Sequence, residues 1–168
     1  ARLTSMPDCR DDDKRVADLL DLQDGRLGIP LLDDDAIRAL LLSGPRIALI
    51  GASNSPLRPS HDVFISLRRA GYDVVPVNPA ETEVDGQPCF PSLAAAVAVT
   101  GPVDIVDVFR RPEACPAHAR EAVEVGARCL WLQLGIVSRE AGEIAADAGL
   151  GVVMDRCTII EHRRLVGD

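Results

Sequence analysis

Aromatic side chains are nearly missing from this chain. One Trp, one Tyr and three Phe make up 3% of its 168 residues, although apolar residues reach 47%. A core without aromatics must be assembled from Val, Leu, Ile and Ala, as in a parallel sheet covered by helices. Lysine is scarcer still. Lys14 stands alone, so the positive charge is carried by arginine, whose planar fork matches phosphate oxygens in pairs. The acidic excess is large. A net charge of −8 argues against nucleic acid or an anionic membrane surface as partner. Cys9, Cys89, Cys115, Cys129 and Cys157 are odd in number and form no C-x-x-C pair, which excludes the usual zinc and thioredoxin-like patterns. No secretory leader opens the chain and no apolar run is long enough to span a bilayer, so a reducing cytoplasm is expected.

Two familiar nucleotide signatures are absent. The first apolar strand ends in a single glycine, Gly51, where a nicotinamide-dinucleotide site requires G-x-G-x-x-G. Such a site also needs an acid at the end of the second strand to hold a ribose diol, and here that strand ends Val77-Asn78-Pro79. No G-K-[ST] occurs, which excludes a P-loop.

What is present is an alternation of short apolar runs and amphipathic stretches. Strands are expected at 46–50, 73–77, 103–109, 128–134 and 151–154. Helices are expected at 33–43, 60–70, 92–99, 113–126, 138–148 and 159–165. Five such units predict an α/β fold: a Rossmann-like, doubly wound parallel sheet of about five strands with helices on both faces. Right-handed crossovers suggest the strand order 3-2-1-4-5, with ligand at the carboxyl ends of the strands where the order reverses. One domain over 31–168 is expected. Residues 1–30, which contain DCRDDDKR, read as a charged extension, partly disordered or loosely docked. Trp131 and the C-terminal helix offer apolar surface for a homodimer.

The chemistry concentrates in RIALIGASNSPLRPS, where a buried strand breaks at Gly51 and a helix follows. Backbone N–H groups at a helix start lack partners and attract anions, so a phosphate-bearing ligand is expected. Ala52 and Ser53 permit close approach, Ser53 and Ser55 add hydroxyls, and Arg58 supplies a guanidinium. The third strand runs into Phe109-Arg110-Arg111, a stacking ring followed by two cations at the same edge. The fourth ends near Gln133 and Gly135, an amide and a point of close backbone approach. Cys157 follows the last strand, where a helix start and Arg156 would lower its thiol pKa. His61 and His118 belong to no catalytic constellation, and His162 reads as a cap on the final helix.

Taken together, IALIGASNSPLRPS, YDVVPVNP, VDIVDVFRRPE, WLQLGIVSREA and GLGVVMDRCTIIEHRRL resemble the stand-alone CoA-binding proteins with a Rossmann-like fold. That fold is shared with the N-terminal domain of the succinyl-CoA synthetase α subunit and of ADP-forming acyl-CoA synthetases. The resemblance spans roughly residues 33–165. It implies that coenzyme A or an acyl-CoA lies across the carboxyl edge of the sheet. The loop Gly51, Ala52, Ser53, Asn54, Ser55 would take the phosphates. Val77, Asn78 and Pro79 would border the adenine end, and Phe109, Arg110, Arg111, Gln133 and Gly135 would line the other side. Ala80 departs from the family, which often has Lys after V-N-P. The chain lacks the phosphohistidine domain of the synthetases, so a non-catalytic binding, sensor or partner protein is expected. The alternatives are a CoA-dependent ligase or transferase component completed by another subunit, and an NAD-responsive regulatory module.

Overall fold

The computed structural model describes residues 8–168. Along the chain run α1 (Cys9–Gln23), α2 (Asp34–Leu42), β1 (Arg46–Ile50), α3 (Pro59–Arg69), β2 (Asp73–Val77), β3 (Glu83–Val84), β4 (Gln87–Pro88), α4 (Leu93–Thr100), β5 (Ile105–Val108), a 3-10 turn (Pro112–Ala114), α5 (Cys115–Glu124), β6 (Cys129–Leu132), α6 (Arg139–Asp147), β7 (Gly151–Val153) and α7 (Thr158–Leu165). The expected strands and helices are all found, within a few residues at each end. Helix α1 and the small β3–β4 hairpin, inside the long loop after β2, had no counterpart in the sequence reading.

Strand residues alternate between two layers because successive side chains leave a pleat on opposite sides. Ala48, Ile50, Val106, Val108, Leu130 and Leu132 face α4, α5 and α6. Ile47, Leu49, Ile105, Cys129 and Trp131 face α2, α3 and α7. Both layers are apolar, so the strands read as nearly unbroken hydrophobic runs. Ile37 and Leu41 on α2, and Phe64 and Leu67 on α3, form the stripes their spacing suggests, and all four are buried. Trp131 is buried too, its Nε1 donating to the Arg156 carbonyl at 2.7 Å, so it offers no surface for a dimer. Among the described residues no helix is long and apolar enough to cross a membrane.

All five main strands are parallel, in the order β2-β1-β5-β6-β7. In the numbering of the five expected strands this is 2-1-3-4-5, which corrects 3-2-1-4-5. Right-handed crossovers allow either arrangement, and polar partners select between them. The expected order would leave β5 at a sheet edge. The observed order instead puts Asp104, just ahead of β5, beside β1, where its carboxylate accepts from Arg46 N at 2.9 Å. It also puts Asp107 of β5 beside β6, where Gln133 waits for it. The reversal point therefore lies between β1 and β5.

Residues 1–7 of the charged extension lie outside the described residues. The rest is not loose. Asp18 and Asp21 on α1 bond to Arg139 at the start of α6, the Asp18 carboxylate accepting from Arg139 N at 2.9 Å. Arg15 pairs with Glu113 in the 3-10 turn after β5. Leu27 is 3% exposed and joins the core, and Leu32 N donates to Val152 O at 3.0 Å along the free edge of β7.

At the reversal point Gly51 has φ +87°, and a β-carbon there would lie 2.6 Å from the Phe109 carbonyl oxygen. Gly51→Ala is therefore expected to destabilise the fold by more than the ~1–2 kcal/mol of a left-handed residue alone. Urea unfolding of both proteins measures this. A loss under ~0.5 kcal/mol, the usual scatter of neutral substitutions, would mean that the two strand ends are free to move apart.

Candidate functional site

Two clefts open at the carboxyl edge, one on each side of the reversal point. The larger, about 390 Å³, lies on the α3/α7 side and is lined by Gly51, Arg58, Pro59, Ser60, Val63, Phe109, Arg110, Arg111, Pro112, Gln133, Leu134, Ile136, Cys157 and Ile160. The smaller, about 290 Å³, lies on the other side among Ile50, Val77, Pro79, Pro91, Ser92, Leu93, Arg110, Ala114, His118 and Glu121. Arg110 borders both.

The helices divide in two according to how they begin. α1, α2, α4 and α6 are closed by the carboxylates or hydroxyls of Asp8, Asp33, Ser92 and Ser138. α3, α5 and α7 have no side-chain cap, and each begins on a cleft, at Arg58, Ala114 and Cys157. Orphan N–H groups and the positive ends of helix dipoles are thereby left facing the clefts.

The loop after β1 uses its donors differently from the expectation. The amides of Gly51 and Ala52 are spent on the Val77 carbonyl, at 2.9 and 3.4 Å. The hydroxyls of Ser53 and Ser55 accept from the amides of Ser55 and Leu57, fixing the loop upon itself. Asn54 donates to Glu81 and accepts from Asp85 N, so it braces the β3–β4 hairpin. Asn78 donates to Ala52 O at 2.8 Å and ties the two loops together. Among the described residues, the backbone N–H groups of Ser53, Asn54 and Ser60 have no acceptor. Ser60 is buried, lines the larger cleft, and keeps its hydroxyl free of protein partners as well. Its position in the first turn of α3 is the signal that sequence reasoning passed over in favour of the loop serines.

Arginine pairing is selective. Most described arginines bond to a carboxylate or a carbonyl, and five have no such partner: Arg58, Arg69, Arg110, Arg111 and Arg163. Three of the five border the larger cleft. In a chain of net charge −8, three unmatched guanidinium groups beside an uncapped helix start make a site for a polyanion.

Behind Gln133, which lines the same cleft, Asp107 and Thr158 are fully buried and complete a polar knot. Gln133 Nε2 donates to Asp107 Oδ1 at 2.6 Å and to Thr158 Oγ1 at 2.9 Å, and Thr158 Oγ1 donates to Asp107 Oδ2 at 3.0 Å. Burial pushes the Asp107 carboxyl up to about 7, against the opposing pull of the two hydrogen bonds. In the smaller cleft burial lowers the His118 pKa, Glu121 opposes this, and Arg110 adds to the lowering.

Of the residues named from sequence, Gly51, Arg58, Phe109, Arg110, Arg111 and Gln133 meet in the larger cleft, and Val77 and Pro79 border the smaller one. Ala52, Ser53, Asn54, Ser55 and Asn78 shape the loops instead. Gly135 stands outside the lining, its N–H donating to Asp155 Oδ1 at 2.7 Å. The Cys157 thiol is not lowered. Burial raises it, and Arg156 is turned to Asp34 and Glu161. His162 does not cap a helix; its Nδ1 lies 2.6 Å from the Tyr72 hydroxyl. The apolar lining, Val63, Ile136 and Ile160, was not identified, because a strand-end cleft borrows side chains from helices whose rotation the sequence leaves open.

Because the folded carboxyl of Asp107 holds its proton to about 7 while an unfolded one releases it near ~4, the native state binds more protons between those values. Stability contributed by this group therefore falls as pH rises from about 4 to about 7. Asp107→Asn is expected to remove that component. Urea unfolding at pH 5 and pH 8 should show a smaller loss for the variant than for the native chain, the difference being on the order of a few kcal/mol. Equal losses would contradict the assignment.

A family model for a CoA binding domain matches residues 45–163. The Bacillus subtilis (strain 168) protein YneT, described as uncharacterized, is 40% identical over 126 residues, or 75% of this chain and 91% of its own. The solved structure of a hypothetical protein from Pyrococcus horikoshii has a TM-score of 0.76 at 39% identity, over 81% of this chain and 94% of that one. A Thermus thermophilus protein of known structure has a TM-score of 0.73 at 40% identity, over 80% and 99%. The family model, whose range includes the stretches that build the clefts, and the 40% identity to YneT place the chain in the CoA-binding domain family.

Proposed function

We propose that this protein binds coenzyme A or an acyl-CoA across the carboxyl edge of the sheet, and that it acts as a binding, sensor or partner protein without a catalytic step of its own. The observation that carries this reading is the convergence of Arg58, Arg110 and Arg111, all unpaired, on the uncapped start of α3. The ligand's phosphate groups supply the negative charge that this arrangement lacks. Val77 and Pro79, in the smaller cleft, suit the adenine end. The pantetheine arm then runs along the apolar walls of the larger cleft toward Gln133. Arg110, common to both clefts, replaces the lysine that Ala80 does not supply. Two of the three histidines line neither cleft, His162 being engaged with Tyr72 and His61 neighbouring the exposed Asp62, while His118 borders the smaller cleft.

Thermal unfolding in the presence of CoA, acetyl-CoA, NAD and ATP tests the proposal. A ligand that binds only the folded state raises the midpoint in proportion to the logarithm of its concentration over Kd. CoA and acetyl-CoA are expected to raise it by several degrees, with NAD and ATP much weaker. Arg110→Ala should weaken CoA binding by about 1–3 kcal/mol, the usual worth of a charge-assisted hydrogen bond. A midpoint that responds to NAD and not to CoA would overturn the proposal. Turnover of an acyl-CoA by the isolated chain would overturn its non-catalytic part.

A further inference from the structure

The inner end of the larger cleft is furnished for a sulfur-bearing group. Cys157 lines it, 8% exposed, at the head of α7. Next to it stands Gln133, 3% exposed, whose Nε2 is committed to Asp107 and Thr158. Among the described residues nothing bonds to the Gln133 carbonyl oxygen, and since Gln133 borders the cleft this acceptor opens into it. An accessible acceptor with no donor from the protein can take an N–H from a ligand, and a pantetheine arm carries two amide N–H groups a short distance from its sulfur. The remaining walls, Val63, Ile136 and Ile160, are apolar and suit the methylene chain between them.

We propose, building on the CoA reading above, that Cys157 is a thiol–disulfide exchange site for the sulfur end of the bound coenzyme, and that its reactant is a disulfide of CoA. The Cys157 thiolate attacks the proximal sulfur of CoA–S–S–R. A bond forms between Sγ and that sulfur, the S–S bond breaks, and the departing thiolate takes up the proton that Cys157 gave to solvent. Cys157 is oxidised to a mixed disulfide, the CoA disulfide is reduced by the same two electrons, and no other oxidant enters. Excess CoA thiol reverses the step. Burial is the largest influence and raises the Cys157 thiol, the backbone amides of Ile160 and Ile159 pull it back, and Asp107 and Arg163 act in opposite directions, so the exchange runs through the minor thiolate form. The other buried cysteines differ in this respect: Cys89, Cys115 and Cys129 line neither cleft.

The test uses the full chain carrying Cys9→Ala, which removes the exposed thiol that lines neither cleft. The protein is incubated with the symmetrical disulfide of CoA, and its intact mass is followed without reductant. One CoA adduct is expected, released by dithiothreitol and mapped to the peptide containing Cys157. It should form at least ~10-fold faster than the adduct with glutathione disulfide, because binding of the nucleotide raises the local concentration of the sulfur. Excess acetyl-CoA, which fills the cleft but offers no disulfide, should slow it, and adding Cys157→Ser should abolish it. If acetyl-CoA raises the thermal midpoint while no adduct forms at Cys157, the exchange site is wrong and the CoA reading stands. If neither CoA nor acetyl-CoA moves the midpoint and the two disulfides react equally, both are wrong.

Discussion

Between β1 and β5 the winding of the sheet reverses, and the two strand ends approach so closely that only a glycine fits. The Gly51 backbone lies against the Phe109 carbonyl with no room for a β-carbon, and its N–H is taken by Val77 from the other side. That contact fixes the separation of the two clefts. The chain leaves β1 as a self-bonded loop and enters α3 at Pro59, which has no N–H, so that the first usable amide of the helix belongs to Ser60. The free amide at this edge is thus a consequence of main-chain geometry before any charged side chain is considered.

Charge then works by subtraction. An acidic protein tends to pair its arginines, and this one does so over most of its surface: Arg139 with α1, Arg46 with Asp73, Arg164 with Asp34 and Glu161. The surface pairs contribute little each to stability. What they accomplish is to neutralise positive charge elsewhere and leave Arg58, Arg110 and Arg111 as a local exception at the carboxyl edge. α1 has a part here as well, since Arg15 holds Glu113, two residues beyond Arg111, and so keeps a neighbouring carboxylate occupied.

The fold was legible because it rests on local signals. Short, nearly unbroken apolar runs broke off near glycine or proline, and Ile37-Leu40-Leu41 and Val63-Phe64-Leu67 marked helical faces. Strand order was not legible, because it depends on where Asp104 and Asp107 find partners, and those partners lie on strands distant in sequence. The lining of the larger cleft was legible at the strand ends, where Gly51, Phe109, Arg110 and Gln133 follow directly from the strand boundaries. It failed at the loop serines and at the helix residues. Ser53 and Ser55 are the right chemistry in the right loop, yet that loop needs their hydroxyls to hold its own shape. Ser60 and Ile160 reach the cleft only through the packing of α3 and α7 on the sheet.

The central claim is that free main-chain amides and unpaired arginines at this edge hold the phosphates of a CoA molecule. A crystal structure of the chain grown with CoA tests it most directly. The account predicts phosphate oxygens within hydrogen-bonding distance of the Ser60 N–H and of at least one of Arg58, Arg110 and Arg111. CoA bound on another surface, or at this edge with its phosphates turned to solvent, would contradict it.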